Sequence, residues 1–549
     1  MLMMLALAAC NSEKQTPKDL YSISVDRSEL LFTPDGKGIT FTLTTNSQWE
    51  INTSADWLTF SEFKSESAAR NTEVTISAEP YEVENSSRAA TVSIKCGDIT
   101  TDAVVRSFIS ITQEGPVVER SEPGIYTLSD LTALGEAIAA ATEDMPADFS
   151  RWTDSDGVIY LRNDIDAGNT PLPLMGGQTT DNGKDGAFTG VFDGQNHTIS
   201  GVLESNGNPI VALFTRLAPE GIIRNLNVDA DVTNDYEGGD VQKHAAAIVG
   251  FSLTSAGSRI ENCTSSGHIE VSGTEDNPRV GGIAAYGRCD IIGCSNYADI
   301  VSNSTRTGGI TGAGGNNVSI INCINNGDIT VNCDNSPQTG GIIGQQNKQM
   351  IEDCENYGSI TVTGGKNALV GGIVGDGKGS GAYIGAEGAP CVNYGTVTLV
   401  LSGTASEPGT LCGVGGIAGG IEDNVPVSDC SNEGSVRSGI DHQSPAAGGI
   451  IGVIKDGKTP AVTDCSNTET ATVVSAANAG GIIGQCYASA VNVTGCSNSG
   501  AVSALENALT VPAFFGNIAG SGSSVVLTGC IYGGTVNGTP GTGDNAIGK

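Results

Sequence analysis

CSNEGSV, residues 430–436, has four near-copies in the same chain: CINNGDI (323–329), CENYGSI (354–360), CVNYGTV (391–397) and CSNSGAV (496–502). Each sets an asparagine two places after the cysteine, a glycine four after and a β-branched residue six after. Cysteine recurs at 263, 294, 323, 354, 391, 430, 465, 496 and 530, a period of roughly 30 to 39 residues. Fixed periods of this size mark stacked supersecondary units. An apolar residue stands three before each cysteine (Ile260, Ile291, Ile320, Ile351, Val427, Val462, Val493, Leu527), except at Cys391. Between cysteines runs a second element, GGI, beginning at Gly281, Gly308, Gly340, Gly371, Gly415, Gly448 and Gly480.

Each period therefore holds about three strand candidates: one on GGI, one carrying the cysteine, and one opened by the β-branched residue. Coiled about an axis, each strand pairs with its counterpart ~4.8 Å above, so equivalent residues form columns. Cysteine suits a column because it is small, apolar and stacks on itself without strain. Asparagine tolerates the left-handed backbone of a corner and bonds along the stack, and glycine turns the corner. The expected fold is all-β, with a right-handed parallel β-helix over residues 186–549.

Composition agrees. Glycine, 76 of 549 residues, is about twice its usual ~7%, and aromatics are 5%, which leaves too few large side chains for a thick globular core. The net charge of -34 repels phosphate backbones and argues against nucleic acid as a partner. Such acidity serves solubility first; calcium is the cation it would suit, and no other cofactor is expected.

Residues 19–115 alternate apolar and polar side chains between turn signals (ITFTLTTN, TEVTISA, ATVSIKC), the pattern of a small β-sandwich. In the 116–185 connector, SDLTALGEAIAAA predicts a capping helix with Ser129 as its N-cap and Leu131, Leu134 and Ile138 on one face. Such a cap would cover the open strands at the end of a solenoid.

Three family resemblances follow from these residues. The leader MLMMLALAACNSEK, within residues 1–18, resembles a bacterial lipoprotein signal, which implies that Cys10 carries the lipid anchor; it departs from the pattern in having no Lys or Arg before the apolar run. TNSQWEINTSADWLTF, with Arg88 and the closing ITQEG, resembles the BACON domain of Bacteroidetes surface proteins. That family implies glycan or mucin binding or a spacer role, with Trp49 and Trp57 as either sugar platforms or core. FTGVFDGQNHTISGV resembles the opening of GLUG-type surface solenoids, and places His197 in a recurring turn.

Chemistry is harder to locate. Asp429 and Asp464 precede consecutive ladder cysteines and form the best-spaced carboxylate pair for a glycosidase, in a column otherwise filled by turn formers. Tyr357 and Tyr394 are neighbours in register, with Tyr297 two rungs below Tyr357, as a sugar platform would need. Basic residues are scarce on the coils and none is expected to repeat in register, which argues against a polysaccharide lyase. No C-x-x-C spacing occurs, and with four histidines a zinc site is not expected. The nine periodic cysteines are expected as a thiol column rather than disulfides. The expected protein is a monomeric, lipid-anchored outer-membrane or cell-surface adhesin that binds a glycan or host glycoprotein. The alternatives are a glycan-cleaving β-helix enzyme and a passive stalk.

Overall fold

The structure is a computed structural model that describes residues 20–81, 87–101, 103–116, 120, 122–238, 241–253, 257–273, 278–315, 317–401, 411–439, 445–487, 491–505, 514–521 and 525–548. Cys10 and the leader lie outside these residues. The chain forms two units, 1–121 and 122–549.

The first unit is a β-sandwich. One sheet orders Ile23–Val25, Ile39–Thr45, Thr72–Ala78 and Leu58–Phe60; the other orders Glu29–Phe32, Ala103–Glu114, Ser87–Asp98, Trp49–Asn52 and Lys64–Ser65. Alternation decides which side chains enter. Phe41 and Leu43 of one sheet and Trp49, Ile94 and Ile109 of the other are all buried against each other.

The second unit is a parallel β-solenoid with four faces per coil. The coil around Cys354 serves as the example. Face one is Met350–Glu352, face two is Glu355–Asn356 continuing to Ile360–Lys366, face three is Leu369–Gly371, and face four is Val374–Gly377. Thr264, Ser295, Ile324, Glu355, Val392, Ser431, Ser466, Ser497 and Ile531 pair in successive register, so the nine preceding cysteines form one column. Eight of the nine are fully buried, Cys530 is partly exposed, and the described cysteines form no disulfides. Burial pushes the Cys294, Cys354 and Cys430 thiols well above their ordinary range.

Three local expectations need correction. First, GGI does not make a strand of its own: its first glycine ends face three, and the second glycine and the isoleucine turn into face four. It is the corner between faces three and four, so each coil has one more strand than the sequence pattern implies. Second, the left-handed backbone sits one residue before the cysteine, with φ of 51° to 54° at Asn262, Asn322, Asp353, Asp429 and Asp464 and a glycine at Gly293, Gly495 and Gly529. Third, the glycine four after the cysteine is demanded by crowding, since a Cβ on Gly358 would lie 1.9 Å from the Gly327 carbonyl oxygen.

The asparagine two after the cysteine instead builds an interior hydrogen-bond chain. Asn296 donates through Nδ2 to Asn325 Oδ1 at 2.8 Å, and Asn325, Asn356, Asn393, Asn432 and Asn467 each donate onward at 2.7 to 2.8 Å until Asn498. Ser265 starts the chain by donating to Asn296 Oδ1. Each amide is buried, and each satisfies a polar group that would otherwise be costly in the interior. The missing apolar residue at Cys391 is supplied from further back. Ile384 pairs between Ile351 and Val427, and residues 385–390 form a detour closed by a bridge of Ala386 to Ala389.

The helix α1 (Leu128–Ala140) buries Leu131, Leu134 and Ile138 against the first coils, together with Trp152, Ile159 and Phe188. Its N-cap is Thr127, not Ser129. The Thr127 hydroxyl accepts from Asp130 N while the Asp130 carboxylate accepts from Thr127 N, a capping box written T-L-S-D in the sequence. The first rungs, Val158–Tyr160 and Ile165–Pro171, already lie within 116–185, so that segment is more than a connector. At the other end Thr539–Pro540 folds back antiparallel on Thr535–Val536, and Asn517 and Ile518 donate to Asn545 and Ala546 across the last coil. Among the described residues, no helix is long and apolar enough to cross a membrane.

Candidate functional site: the crease between faces three and four

The double glycine explains where a groove can form. A Cβ on the second glycine of each GGI would lie 2.2 to 2.5 Å from an atom of the asparagine column, as at Gly282 against Asn296 and Gly372 against Asn393. The corner is thus drawn inward until its backbone touches the buried amides. Outside, this leaves a re-entrant crease along the solenoid.

Two columns face each other across the crease, seven residues apart in each coil. On face three the register runs His244, Arg279, Arg306, Gln338, Leu369, Gly413 and Ala446. On face four it runs Phe251, Tyr286, Ala313, Gln345, Asp376, Gly420, Val453 and Gln485. Contacts across the crease confirm the pairing: the Arg279 guanidinium lies 4.1 Å from the Tyr286 ring centre, Gln345 Nε2 donates to Gln338 Oε1 at 2.5 Å, and Asn478 Nδ2 donates to Gln485 Oε1 at 3.0 Å.

In its middle the crease opens into a cavity of about 370 Å³ lined by Ser336, Gln338, Asn367, Leu369, Leu411, Glu422 and Lys455. That volume falls at the small end of the range for small-molecule sites. Glu422 pairs with Lys455 at 3.0 Å. Beneath the rim Asp376 is fully buried, accepts from Gln338 Nε2 at 2.9 Å and lies 3.5 Å from Lys378 Nζ, while its Oδ1 has no hydrogen-bond partner. Burial, reinforced by the charge of Glu422, pushes its carboxyl up to about 7.

Toward the N-terminal end the crease turns cationic. Burial, with Arg306 and Arg288 nearby, lowers the Arg279 guanidinium to about 10, so it remains charged at neutral pH. His244 is fully buried against the paired rings of Phe251 and Tyr286, and burial with the neighbouring arginines holds it well below its ordinary value, hence neutral.

The residues singled out from sequence fall elsewhere. Trp49 is 1% exposed in the sandwich core and presents no face to a ligand. Trp57 is covered by the Arg88 guanidinium at 4.2 Å, which Gln113 Oε1 holds from the far side. Tyr357 and Tyr394 stack on each other at 4.5 Å with planes 9° apart, so one face of each ring is already used. The Tyr357 hydroxyl donates to Glu355 at 2.8 Å, which raises its own pKa to about 12. Asp429 and Asp464 are neighbours in the stack, and both serve the left-handed corner. His197 closes a turn and bonds Asp164 through Nδ1 at 2.9 Å. Among the described residues no three His, Cys, Asp or Glu side chains converge as a metal ligand set.

The expectation that no basic residue repeats in register is overturned by Arg279 and Arg306, which pair directly on face three. The sequence signal was present: each stands two before a double glycine, as do Gln338, Leu369 and Gly413. Counting from cysteine hides it, because the intervening loops vary in length.

No family model matches the chain, and no curated protein matches it. Among solved structures it is similar to an IgA1 protease (12% identity, TM-score 0.33), covering 90% of this chain but 29% of that one. It is also similar to a Bacteroides ovatus GH5 xyloglucanase in complex with a XXXG heptasaccharide (14%, TM-score 0.15, 39% and 56% covered). A third is a PapD-like domain of human CEP192 (11%, TM-score 0.16, 22% and 99% covered). The chain thus spans under a third of the protease and about half of the xyloglucanase. These likenesses are too weak to bear on function.

Proposed function

We propose that this protein is a non-enzymatic glycan-binding adhesin, tethered to the bacterial cell surface through Cys10, with the crease as its binding surface. The observation that carries the reading is the mixture lining the 370 Å³ cavity: the amides of Gln338 and Asn367 and the charges of Glu422 and Lys455 beside the apolar Leu369 and Leu411. Sugars need both, since hydroxyls take directional hydrogen bonds and ring faces take apolar contact. Coils spaced at ~4.8 Å set successive rungs at a distance comparable to one pyranose unit, so a polysaccharide lying along the axis would meet a new pair of side chains at each sugar. The sandwich then acts as a spacer. A glycan array probed with the whole chain tests the reading: binding lost in Gln338→Ala but kept in Tyr394→Ala supports it, whereas silence both on the array and in an assay for released reducing ends leaves a passive stalk.

One observation favours a second reading. Asp376 stands in the face-four column of the crease with its carboxyl pushed up to about 7 by burial and the charge of Glu422, the range a general acid in a glycoside hydrolase needs. Release of reducing ends, abolished by Asp376→Asn, would establish the enzyme; its absence leaves the adhesin.

A further inference from the structure

Resting on the glycan reading, we infer that the ligand is an acidic polysaccharide, with its carboxylate or sulfate groups held at the N-terminal end of the crease by Arg279 and Arg306. Four observations converge there. Arg279 and Arg306 are direct register partners on adjacent coils, so two arginines leave the backbone one strand spacing apart. Like charges placed opposite each other in a sheet are destabilising, and the fold does not require them: the same column carries glutamine, leucine, glycine and alanine on other coils. Both side chains are half-buried at the crease, where a counter-ion would be shielded from water and held more strongly than at the surface. Finally, Arg279 Nε and both ring nitrogens of His244 have no hydrogen-bond partner among the described residues.

Arg288 belongs to the scaffold instead. It donates through Nε to Ser252 O and through Nη2 to Asn182 Oδ1, and it stacks on Phe251 and Tyr286. Arg279 is steadied from two sides, by the Tyr286 ring and by the Gln242 side-chain carbonyl, which leaves its planar fork suited to a carboxylate or sulfate. The next rung offers Gln338 and Gln345 to sugar hydroxyls. The concentration of cations runs against a net charge of -34, which would slow the approach of a polyanion. Short-range contacts must therefore supply the affinity, and salt must weaken it.

The test uses the whole chain in affinity electrophoresis and calorimetry with polygalacturonate (carboxylate only), dextran sulfate (sulfate only) and neutral dextran. Binding of one or both polyanions but not dextran is expected, with at least a tenfold loss in Arg279→Gln and Arg306→Gln, retention in Arg306→Lys, and no change in the surface control Arg437→Gln. Thermal melting identifies any variant that misfolds; in that case the wild-type affinity, expected to fall severalfold between 50 and 500 mM salt, decides. Polyanion binding untouched by the arginine variants, or insensitive to salt, overturns the assignment of the site. Neutral glycans bound on the array with neither polyanion retained overturns the acidic ligand and leaves the glycan reading standing. Binding of no glycan at all overturns both.

Discussion

Replacing Asn393 by alanine tests the interior amide column where it is continuous on both sides. Asn393 Oδ1 accepts from Asn356 at 2.8 Å, and its Nδ2 donates to Asn432 Oδ1 at 2.8 Å and to Gly395 O at 2.8 Å. The substitution removes three hydrogen bonds, each with a net value of about 1 kcal/mol, and leaves Asn356, Asn432 and Gly395 short of a partner in a region sealed from water. Their remaining bonds moderate the penalty, so the expected loss is about 3 to 5 kcal/mol. In a stacked array this loss falls on adjacent coils, and the denaturation curve should broaden or divide as well as shift. The measurement is urea denaturation followed by far-ultraviolet circular dichroism. Asn326→Ala serves as control, because Asn326 is exposed and stands one residue after Asn325, the column amide two coils earlier; its expected effect is within about 0.5 kcal/mol. If Asn393→Ala costs under about 1 kcal/mol, or no more than the control, the amides do not stabilise the stack and the explanation of the C-x-N motif is wrong.

Gly372→Ala would place a Cβ 2.1 Å from Gly416 O and 2.3 Å from Asn393 Cγ, so a loss of about 4 kcal/mol or more is expected, against about 1 kcal/mol for Gly388→Ala, where the space is open and only the positive φ is strained; thermal melts separate the two. Because the folded-state pKa of Asp376 is raised from 3.8 to about 7, its contribution to stability is fully present below about 3.8 and is lost as pH rises through about 7, a slope of about 1.4 kcal/mol per unit. Asp376→Asn should flatten that part of the stability profile and be the more stable protein at pH 8. Alkylation of the folded chain followed by mass spectrometry should label Cys530 well before any of the ladder cysteines from Cys263 to Cys496, and denaturant should abolish the difference.

The stacked architecture was legible because each coil repeats the same steric problem. A thiol, an amide and a β-branched side chain at fixed spacing announce columns before any coordinate is known. What the pattern did not carry was direction. Ile283 and Ile373 sit at corners that read as strand centres, because a glycine pair followed by isoleucine fits either state until the asparagine column is seen pressing on the second glycine. The rung at Cys391 departs from the spacing for a related reason: six residues of detour, where other coils have two, separate Ile384 from Cys391, although Ile384 holds the same register position. The aromatic residues are taken up by the fold itself. Trp49 lies in the sandwich core and Tyr357 stacks on Tyr394, whereas the crease is built from arginine, glutamine and aspartate, whose convergence depends on an inward corner that no local spacing encodes.

The amides from Asn296 to Asn498 all point the same way, donor toward the C-terminal neighbour, from the serine that starts the chain. Any single coil therefore presents one acceptor to the coil before it and one donor to the coil after it. Deleting or duplicating a whole coil rejoins like to like and strands no polar group at the seam. Length is thus a quantity that duplication or loss of a whole coil can adjust in single steps, without stranding an amide of the column at the junction.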